Sequence, residues 1–356
     1  MKLFTIGPTE MYETTKRIRE EGIPYFRNQT FSNLMFEVDE MLKKCMKASK
    51  NSEAIYLTAS GTAALEATVD NIIKKEDRIL VVAGGTFGNR FRDICIKRGI
   101  NTDVINLELD EALTWEHFVP FMENKYKAVL VNLHETSTGQ LYDIQLFKKF
   151  CEDKETLLIV DAISTFLCDE YDMDGCGIDV TIISSQKGLC VSPGVAIVVM
   201  TADVVANHLK SSDEIDYMYF DYNDYITNMK RGQTPYTPAV GIMYEIHDML
   251  KEITEIGLET RLEEVKAKSE NFRAEVSMEG ISIPEFNCSN AITTVIFEKP
   301  VAKEIEKELI ETLGYIINPC GGSVAQQRFR VSHVGAVTVD ETVELAKAIK
   351  RIYKKY

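Results

Sequence analysis

The sequence predicts an α/β protein with a mostly parallel seven-stranded sheet, followed by a smaller α+β domain. From about residue 30 to 200, short apolar runs alternate with amphipathic segments, which is typical of βαβ units. After residue 290 the order changes to strand, helix, two further strands and a closing helix. The 356 residues also exceed the size at which a single hydrophobic core stops growing, so two domains are expected.

The elements follow from these patterns in chain order. Apolar, β-branched runs predict the seven strands 54–58, 78–83, 103–107, 128–133, 157–161, 180–184 and 195–200. Amphipathic segments predict helices at 31–48, 62–73, 88–98 and 142–153, whereas 164–178 is too irregular for a prediction. Residues 217–238 are predicted to be rich in loops, because their prolines fit neither a helix nor a central strand. One long helix is predicted after them, at 239–278. The smaller domain has strands at 291–297, 315–318 and 327–332 and helices at 302–313 and 339–353.

Composition and charge disfavour some classes of binding partner. A formal charge of -15 disfavours nucleic acids and anionic membranes, because both bind basic surfaces. We see no signal peptide and no run near the roughly 18 apolar residues of a membrane span, so we expect a cytoplasmic protein. The eight cysteines are scattered without a Cys-x-x-Cys pair, and we expect neither a metal site nor a disulfide framework.

Lys187 is the most specific indication of the type of reaction, because it follows an apolar strand in the run Ser184-Ser185-Gln186-Lys187-Gly188. In open α/β sheets, ligands bind outside the carboxyl ends of the strands. A lysine at that edge can form a Schiff base with a carbonyl cofactor, although most lysines that follow strands are solvated loop residues. Asp161 ends another apolar strand 26 residues earlier (187 − 161) and is a candidate partner for a pyridinium N–H. Its alternative role is to cap the next turn.

Three further motifs lie at predicted ligand-binding positions. Ser60-Gly61-Thr62 follows a strand and opens a helix, where backbone N–H groups and the helix dipole stabilise a phosphate, or where Ser60 is a plain N-cap. The run Gly84-Gly85-Thr86-Phe87-Gly88 lacks the spacing of a dinucleotide loop, and we interpret its glycines as room for Phe87 to stack on a flat ring. Arg330 is a candidate clamp for a substrate carboxylate or an ordinary ion-paired arginine.

In this order the motifs resemble the class V aminotransferases, which are fold-type I pyridoxal phosphate enzymes. The similarity is to the alanine-glyoxylate, serine-pyruvate and 2-aminoethylphosphonate-pyruvate group and spans nearly the whole chain. The matching runs are Gly7-Pro8-Thr9, Ser60-Gly61-Thr62-Ala63-Ala64-Leu65-Glu66-Ala67, Phe87-Gly88-Asn89-Arg90, His134-Glu135-Thr136-Ser137-Thr138-Gly139, Val160-Asp161-Ala162-Ile163-Ser164, Ser185-Gln186-Lys187-Gly188 and Phe329-Arg330-Val331.

The resemblance implies a fold-type I fold and pyridoxal 5'-phosphate as the cofactor. Lys187 would carry it as an internal aldimine and then move the proton during catalysis, while Asp161 holds the pyridine nitrogen. The other implied cofactor-binding residues are Ser60, Gly61, Thr62, Phe87, Thr136, Ile163, Gln186, Thr234 and Thr237. Arg330 would bind the substrate carboxylate, with Gly7 beside the substrate. The implied division is an N-terminal arm at the active site (1–15), a large cofactor-binding domain (16–250) and a small C-terminal domain (251–356).

The same resemblance implies a homodimer with shared active sites, in which the loop from Thr234 to Thr237 of the neighbouring subunit completes the phosphate site. The expected reaction is ping-pong transfer of an amino group from alanine or serine to glyoxylate or pyruvate. A 2-aminoethylphosphonate-pyruvate transaminase is the alternative. Its phosphonate would need a cationic pocket, for which the candidates are Arg27, Arg90 and Arg328.

Other hypotheses fit the sequence less well. A cysteine desulfurase needs an activated loop thiol, and Cys320 has no evident activating neighbour. A non-catalytic regulatory protein of the same fold should have lost Lys187 or Arg330, and a nucleotide-binding oxidoreductase would bind a nicotinamide cofactor instead. The acid- and tyrosine-rich stretch 217–225 departs from the family pattern, and its role is open.

Overall fold

A computed structural model describes residues 1–152 and 155–356. Its strands are β1 (Lys2–Phe4), β2 (Glu53–Leu57), β3 (Arg78–Ala83), β4 (Asn101–Asn106), β5 (Ala128–Asn132), β6 (His134–Glu135), β7 (Gln140–Leu141), β8 (Leu157–Asp161), β9 (Val180–Ser184), β10 (Ala196–Met200), β11 (Ile281–Ser282), β12 (Ile292–Phe297), β13 (Tyr315–Pro319) and β14 (Arg328–Ser332). Its α-helices are α1 (Glu13–Glu20), α2 (Gln29–Cys45), α3 (Gly61–Ile72), α4 (Thr86–Lys97), α5 (Ile144–Cys151), α6 (Tyr222–Met229), α7 (Val240–Ile256), α8 (Leu258–Val276), α9 (Ala302–Glu308) and α10 (Val339–Tyr353).

The central sheet has seven strands in the order β2-β10-β9-β8-β5-β3-β4. Strand β10 is antiparallel to both of its neighbours, and the other pairs are parallel. Strands β5, β8, β9 and β10 are buried along their whole length, because helices cover both faces of the sheet. The prediction of a mostly parallel seven-stranded sheet is confirmed, with strand ends within two residues of those expected.

The predicted helices between these strands are also present. Helix α3 begins at the N-cap Ser60, whose side chain accepts a hydrogen bond from the backbone N–H of Ala63 at 3.4 Å. The helix predicted at 142–153 corresponds to α5, and residue 153 lies outside the described residues. Because β8 and β9 are parallel neighbours, Asp161 and the chain leading to Lys187 lie at the same sheet edge.

A second sheet has five strands in the order β1-β13-β14-β12-β11. The short N-terminal strand β1 pairs with β13 in parallel and was not predicted, because three residues carry no recognisable periodicity. Helices α8 and α10 pack together against this sheet, around a core that includes Phe272, Phe329 and Ile349. The N-terminal segment therefore belongs structurally to the C-terminal sheet.

Two predicted segments differ from the structure. The single helix expected at 239–278 is wrong, because Gly257 has a φ of +93° and separates α7 from α8. Residue 250, the expected boundary between the domains, lies inside α7, and the division into domains stays a prediction. The loop-rich stretch 217–238 contains the helix α6, which sequence reasoning missed because it is only eight residues long.

Tyrosines pack residues 217–238 against the helices of the large sheet. The hydroxyl of the fully buried Tyr222 lies 2.9 Å from the Thr68 hydroxyl on α3. The rings of Tyr219 and Tyr236 stack with their centroids 5.1 Å apart. The tyrosine-rich stretch thus has a packing role in this chain. Among the described residues, no helix combines the length and apolar character needed to cross a membrane.

Candidate active site

A cavity of about 160 Å³ lies at the carboxyl edge of the large sheet. Most residues predicted to bind the cofactor line it, namely Ser60, Gly61, Thr62, Phe87, Thr136, Asp161, Ile163, Gln186 and Lys187. Leu65, Arg90, His134, Ser164 and Ser184 complete the lining. The structure therefore brings together residues that the sequence separates by up to 127 positions (187 − 60).

Lys187 projects into this cavity from the turn after β9. Burial lowers the pKa of its amino group to about 8, although the Asp161 carboxylate acts in the opposite direction. A larger fraction of the amine is consequently unprotonated near neutral pH than for an ordinary lysine. Behind it, a Cβ atom on Gly188 would overlap the carbonyl oxygen of Phe166, so only glycine fits there. This close packing of Gly188 on Phe166 holds the backbone beside Lys187 in place.

Asp161 is the last residue of β8, and burial raises the pKa of its carboxyl group to about 7. The backbone N–H of Ile163 donates to its Oδ1 at 2.9 Å and partly offsets that effect. The capping role considered for Asp161 is thus observed, and it orients the carboxylate at the cavity wall. A cationic N–H donor in the cavity would stabilise the ionised form.

The N-terminus of α3 forms the end of the cavity suited to an anion. The Arg90 guanidinium donates from Nη1 to the Thr62 hydroxyl at 3.1 Å and also lies 5.0 Å from the centre of the Phe87 ring. Helix dipole and guanidinium together place positive potential there. Sequence reasoning left Arg90 without a position, although its spacing of three residues from Phe87 on a helix is a signal that the two share a face.

Phe87 is held by a neighbouring carboxylate. The buried Glu135 accepts hydrogen bonds from the backbone N–H groups of Phe87 at 3.2 Å and Gly88 at 2.9 Å. A Cβ on Gly85 would overlap Ser137 and approach Glu135 within 2.6 Å. The space at Gly85 is therefore used by the polar groups that cap α4, and the stacking of Phe87 on a flat ring stays a prediction. The capping role of Glu135 was missed.

Arg330 and Gly7 are the two residues predicted to lie beside the substrate. Arg330 lines an outer cleft of about 830 Å³ that meets the inner cavity at Phe87. Its Nη1 donates to the Thr136 carbonyl and its Nη2 to the Pro319 carbonyl, each at 2.7 Å. Gly7 packs directly on the lysine, since a Cβ there would lie 2.9 Å from Lys187 Cδ and Cε. Any larger residue at position 7 would displace the lysine side chain.

Thr234 and Thr237 are the predicted cofactor residues that the single chain does not place at the cavity. The buried Thr234 donates from its hydroxyl to the Tyr236 carbonyl at 2.6 Å. Arg27 holds the same loop by donating to the carbonyl oxygens of Thr234 at 2.8 Å and Pro235 at 3.1 Å. Thr237 is exposed and borders a separate cleft with Pro8 and Pro193. Their role in a neighbouring active site stays a prediction.

The cavity fits pyridoxal phosphate in its donor and acceptor groups. Among the described residues, the buried Ser184 Oγ and His134 Nε2 on its wall have no hydrogen-bond partner in the chain. The α3 N-terminus with Arg90 suits the phosphate, Asp161 suits the pyridine nitrogen, and Lys187 suits the aldehyde. A Cβ on Gly61 would overlap Ile163 Cδ1, so the glycine keeps the phosphate end accessible.

Sheet order and cavity together define a fold-type I pyridoxal phosphate enzyme. The family model for class-V aminotransferases matches residues 22–339, and the chain belongs to that family. It is an enzyme that transfers amino groups with pyridoxal phosphate as its cofactor, as the motifs predicted.

Individual relatives cover almost the whole chain. An L-aspartate–glyoxylate aminotransferase of Paracoccus denitrificans is 25% identical over 94% of this chain and 87% of its own length. A serine–glyoxylate aminotransferase of Arabidopsis thaliana is 26% identical over 99% of this chain and 90% of its own. An aspartate aminotransferase structure from Thermus thermophilus has a TM-score of 0.91, at 23% identity, with 100% of this chain and 99% of that chain covered.

Proposed function

We propose that this enzyme transfers the amino group of a small neutral amino acid, such as alanine or serine, to glyoxylate or pyruvate. The observation that carries the proposal is that, of Arg27, Arg90, Arg328 and Arg330, only Arg330 lines the outer cleft beside the cavity. The two relatives named above both use glyoxylate according to their names, which supports the acceptor.

The chain's own groups support amino transfer. Bound pyridoxal phosphate would supply an electron sink for the substrate α-carbon. Lys187 would then be the base that removes the α-proton, because its lowered pKa leaves a larger fraction of its amine unprotonated near neutral pH than in an ordinary lysine. Asp161 would keep the ring nitrogen protonated, and Phe87 would hold the ring from one face. Gly7 leaves the lysine space to move between these tasks.

The substrate carboxylate would bind at Arg330. Two of its nitrogens are held by backbone carbonyls, and its Nε is buried without a hydrogen-bond partner among the described residues. These backbone contacts orient the guanidinium towards the outer cleft, and a carboxylate there would satisfy the remaining donors.

The three arginines considered for a second acidic group, Arg27, Arg90 and Arg328, are all engaged by other groups of the chain. Arg328 forms a two-pronged ion pair with Asp110, with N–O distances of 2.7 and 2.5 Å. Arg27 is bound to the loop from 233 to 235, and Arg90 belongs to the phosphate end. These contacts disfavour the 2-aminoethylphosphonate alternative, since its phosphonate would need one of those arginines.

The desulfurase alternative is also disfavoured. The expectation that Cys320 has no activating neighbour is wrong in one respect, because Arg330 lies beside it and favours the thiolate. Burial has the larger effect and raises the pKa of the Cys320 thiol. The thiol therefore stays protonated near neutral pH and is a poor nucleophile.

The assembly and location that accompany this proposal are a homodimer in the cytoplasm. A loop at 234–237 that is held by Arg27 and does not line its own chain's cavity is consistent with a contribution to a neighbouring site. Analytical ultracentrifugation of the holoenzyme tests the dimer, and mixing inactive Lys187→Ala subunits with Thr234→Ala subunits tests whether sites are shared.

A half-reaction screen tests the substrate class. Purified holoenzyme is mixed with alanine, serine, aspartate or 2-aminoethylphosphonate, and loss of the cofactor's Schiff-base absorbance is followed by stopped flow. We expect alanine or serine to react fastest, with Lys187→Ala as the blank. Faster reaction with 2-aminoethylphosphonate or aspartate would contradict a small neutral donor, and reaction with none would contradict the proposal.

A further inference from the structure

His134 is a buried residue of the cavity wall that the proposed mechanism does not use. It is 2% exposed and is the first residue of β6, next to the capping Glu135. Its Nδ1 lies 3.1 Å from the Ser164 carbonyl oxygen, whereas its Nε2 has no hydrogen-bond partner among the described residues. A buried polar atom without a partner is costly, so a partner from outside the chain is expected.

The contact with Ser164 fixes the tautomer of the imidazole. A carbonyl oxygen only accepts hydrogen bonds, so Nδ1 must carry the proton. Burial lowers the pKa of His134 to about 3, and the charges of Lys187, Arg273 and Arg330 act in the same direction. The ring is therefore neutral, and Nε2 presents a bare lone pair that can only accept.

The nearby cations of the chain do not supply the missing donor. Arg330 is bound to the carbonyls of Thr136 and Pro319, and Arg273 donates to Thr293 Oγ1 at 2.9 Å and to the Ile292 carbonyl at 3.1 Å. Lys187 is committed to the cofactor in the holoenzyme. The donor must then come from the bound ligand.

Pyridoxal phosphate carries two hydrogen-bond donors on its ring, the protonated nitrogen and the 3-hydroxyl. Asp161 is the acceptor for the first. His134 begins the two-residue strand β6 and Thr136 follows that strand at the start of the next turn, and both residues line the cavity. They can therefore meet the same ring oxygen, with the Thr136 hydroxyl donating to it and His134 accepting from it.

We propose that His134 is a positioning residue whose unprotonated Nε2 accepts a hydrogen bond from the cofactor's 3-hydroxyl, and so favours the protonated form of that hydroxyl. The inference rests on the cofactor lying in the Lys187 cavity as proposed above. It adds a residue that sets the protonation state of the ring oxygen.

The test uses two matched variants of the full chain. His134→Asn keeps a donor for the Ser164 carbonyl and removes the acceptor at Nε2, whereas His134→Gln can place an amide oxygen near the lost acceptor. Apoprotein of each variant is titrated with pyridoxal phosphate and with 3-deoxypyridoxal phosphate, which lacks the hydroxyl. Thermal unfolding of each apoprotein shows whether the fold is retained.

We expect His134→Asn to weaken pyridoxal phosphate binding about 3- to 10-fold, the usual worth of one hydrogen bond, and to leave binding of the deoxy analogue unchanged. The bound cofactor's spectrum should shift towards the ionised-hydroxyl form in His134→Asn and return in His134→Gln. Equal weakening for both ligands, or no change for either, would overturn the proposal.

A separate experiment tests whether the cofactor binds at Lys187 at all. Borohydride reduction of wild-type holoenzyme followed by peptide mapping should locate the cofactor on Lys187. An adduct on another lysine would remove the cofactor from this cavity. An adduct on Lys187 with unaltered binding in His134→Asn would refute only the role of His134.

Discussion

The inner cavity and the outer cleft differ in how firmly their walls are built. Around the inner cavity, glycines are places of close approach, since a Cβ on Gly61 would overlap Ile163 and one on Gly188 would overlap the Phe166 carbonyl. At the Gly321–Gly322 wall of the outer cleft a Cβ would meet nothing within 4 Å, whereas at Gly84 and Gly85, which also line the cleft, it would overlap Tyr142 and Ser137. The cleft has a volume of about 830 Å³ against about 160 Å³ for the cavity.

The closely packed cavity and the more open cleft are under different constraints. The cavity must hold one cofactor in one orientation, so its residues are fixed by strand ends, helix caps and close backbone contacts. Under the proposed function the cleft would admit the variable part of the substrate, and changes at its open wall would leave the cofactor undisturbed. Substitutions in the cavity should therefore cost much more than substitutions in the cleft.

The largest expected effect is that of Lys187→Ala. Loss of the amine should abolish covalent attachment of the cofactor and lower turnover by a factor on the order of 10⁴ or more. Absorbance of the Schiff base and steady-state turnover measure the two effects, with the exposed Lys125→Ala as control. A variant that retains the absorbance and most of its turnover would show that the cavity is not the reaction centre.

The next effect is the pH dependence of Lys187 in the apoprotein. Since its pKa is lowered to about 8, acetylation by acetic anhydride should rise about tenfold per pH unit up to about pH 8 and then level off. An ordinary lysine would keep gaining reactivity to about pH 10.4. Asp161→Asn should move the midpoint lower, because the Asp161 carboxylate raises the lysine pKa. A midpoint near 10 would contradict the burial of this amine.

A direct comparison of the two regions is Gly61→Ala against Gly321→Ala. The first pushes Ile163 towards the ring and should weaken cofactor binding about tenfold, within the usual cost of overpacking. The second should leave binding unchanged, because its Cβ enters open space at a φ of -102°. Ile163→Val, which removes the overlapping methyl, should restore binding to Gly61→Ala. Equal losses for both glycines would mean that the cavity is no more rigid than the cleft.

The smallest effect is expected for Asp110→Asn, next to the cleft residue Leu109. This substitution weakens the ion pair that occupies Arg328, so alanine kinetics should stay within about twofold, as for other exposed ion pairs. Reaction with 2-aminoethylphosphonate or aspartate should increase, because Arg328 becomes available to a second acidic group. The double variant Asp110→Asn, Arg328→Ala should lose that gain. An unchanged preference would show that Arg328 does not face the substrate.

The parts of the molecule that follow from local pattern were predictable from sequence. Apolar runs located the seven strands, and residues placed just after them converge at one edge because parallel strands end together. Contacts between distant segments were not predictable. The cap that Glu135 gives to α4, the pairing of β1 with β13 and the ion pair of Arg328 with Asp110 join residues 47 or more positions apart, and no local periodicity encodes them.

Strand β1 gives the N-terminal segment a mechanical function. It is hydrogen-bonded into the sheet that carries Arg330, and three residues later Gly7 rests against Lys187. A substrate that draws that sheet inward through Arg330 would move Gly7 in the same step. The room around the Lys187 side chain is thus set by a segment anchored in the same sheet that carries the candidate carboxylate clamp.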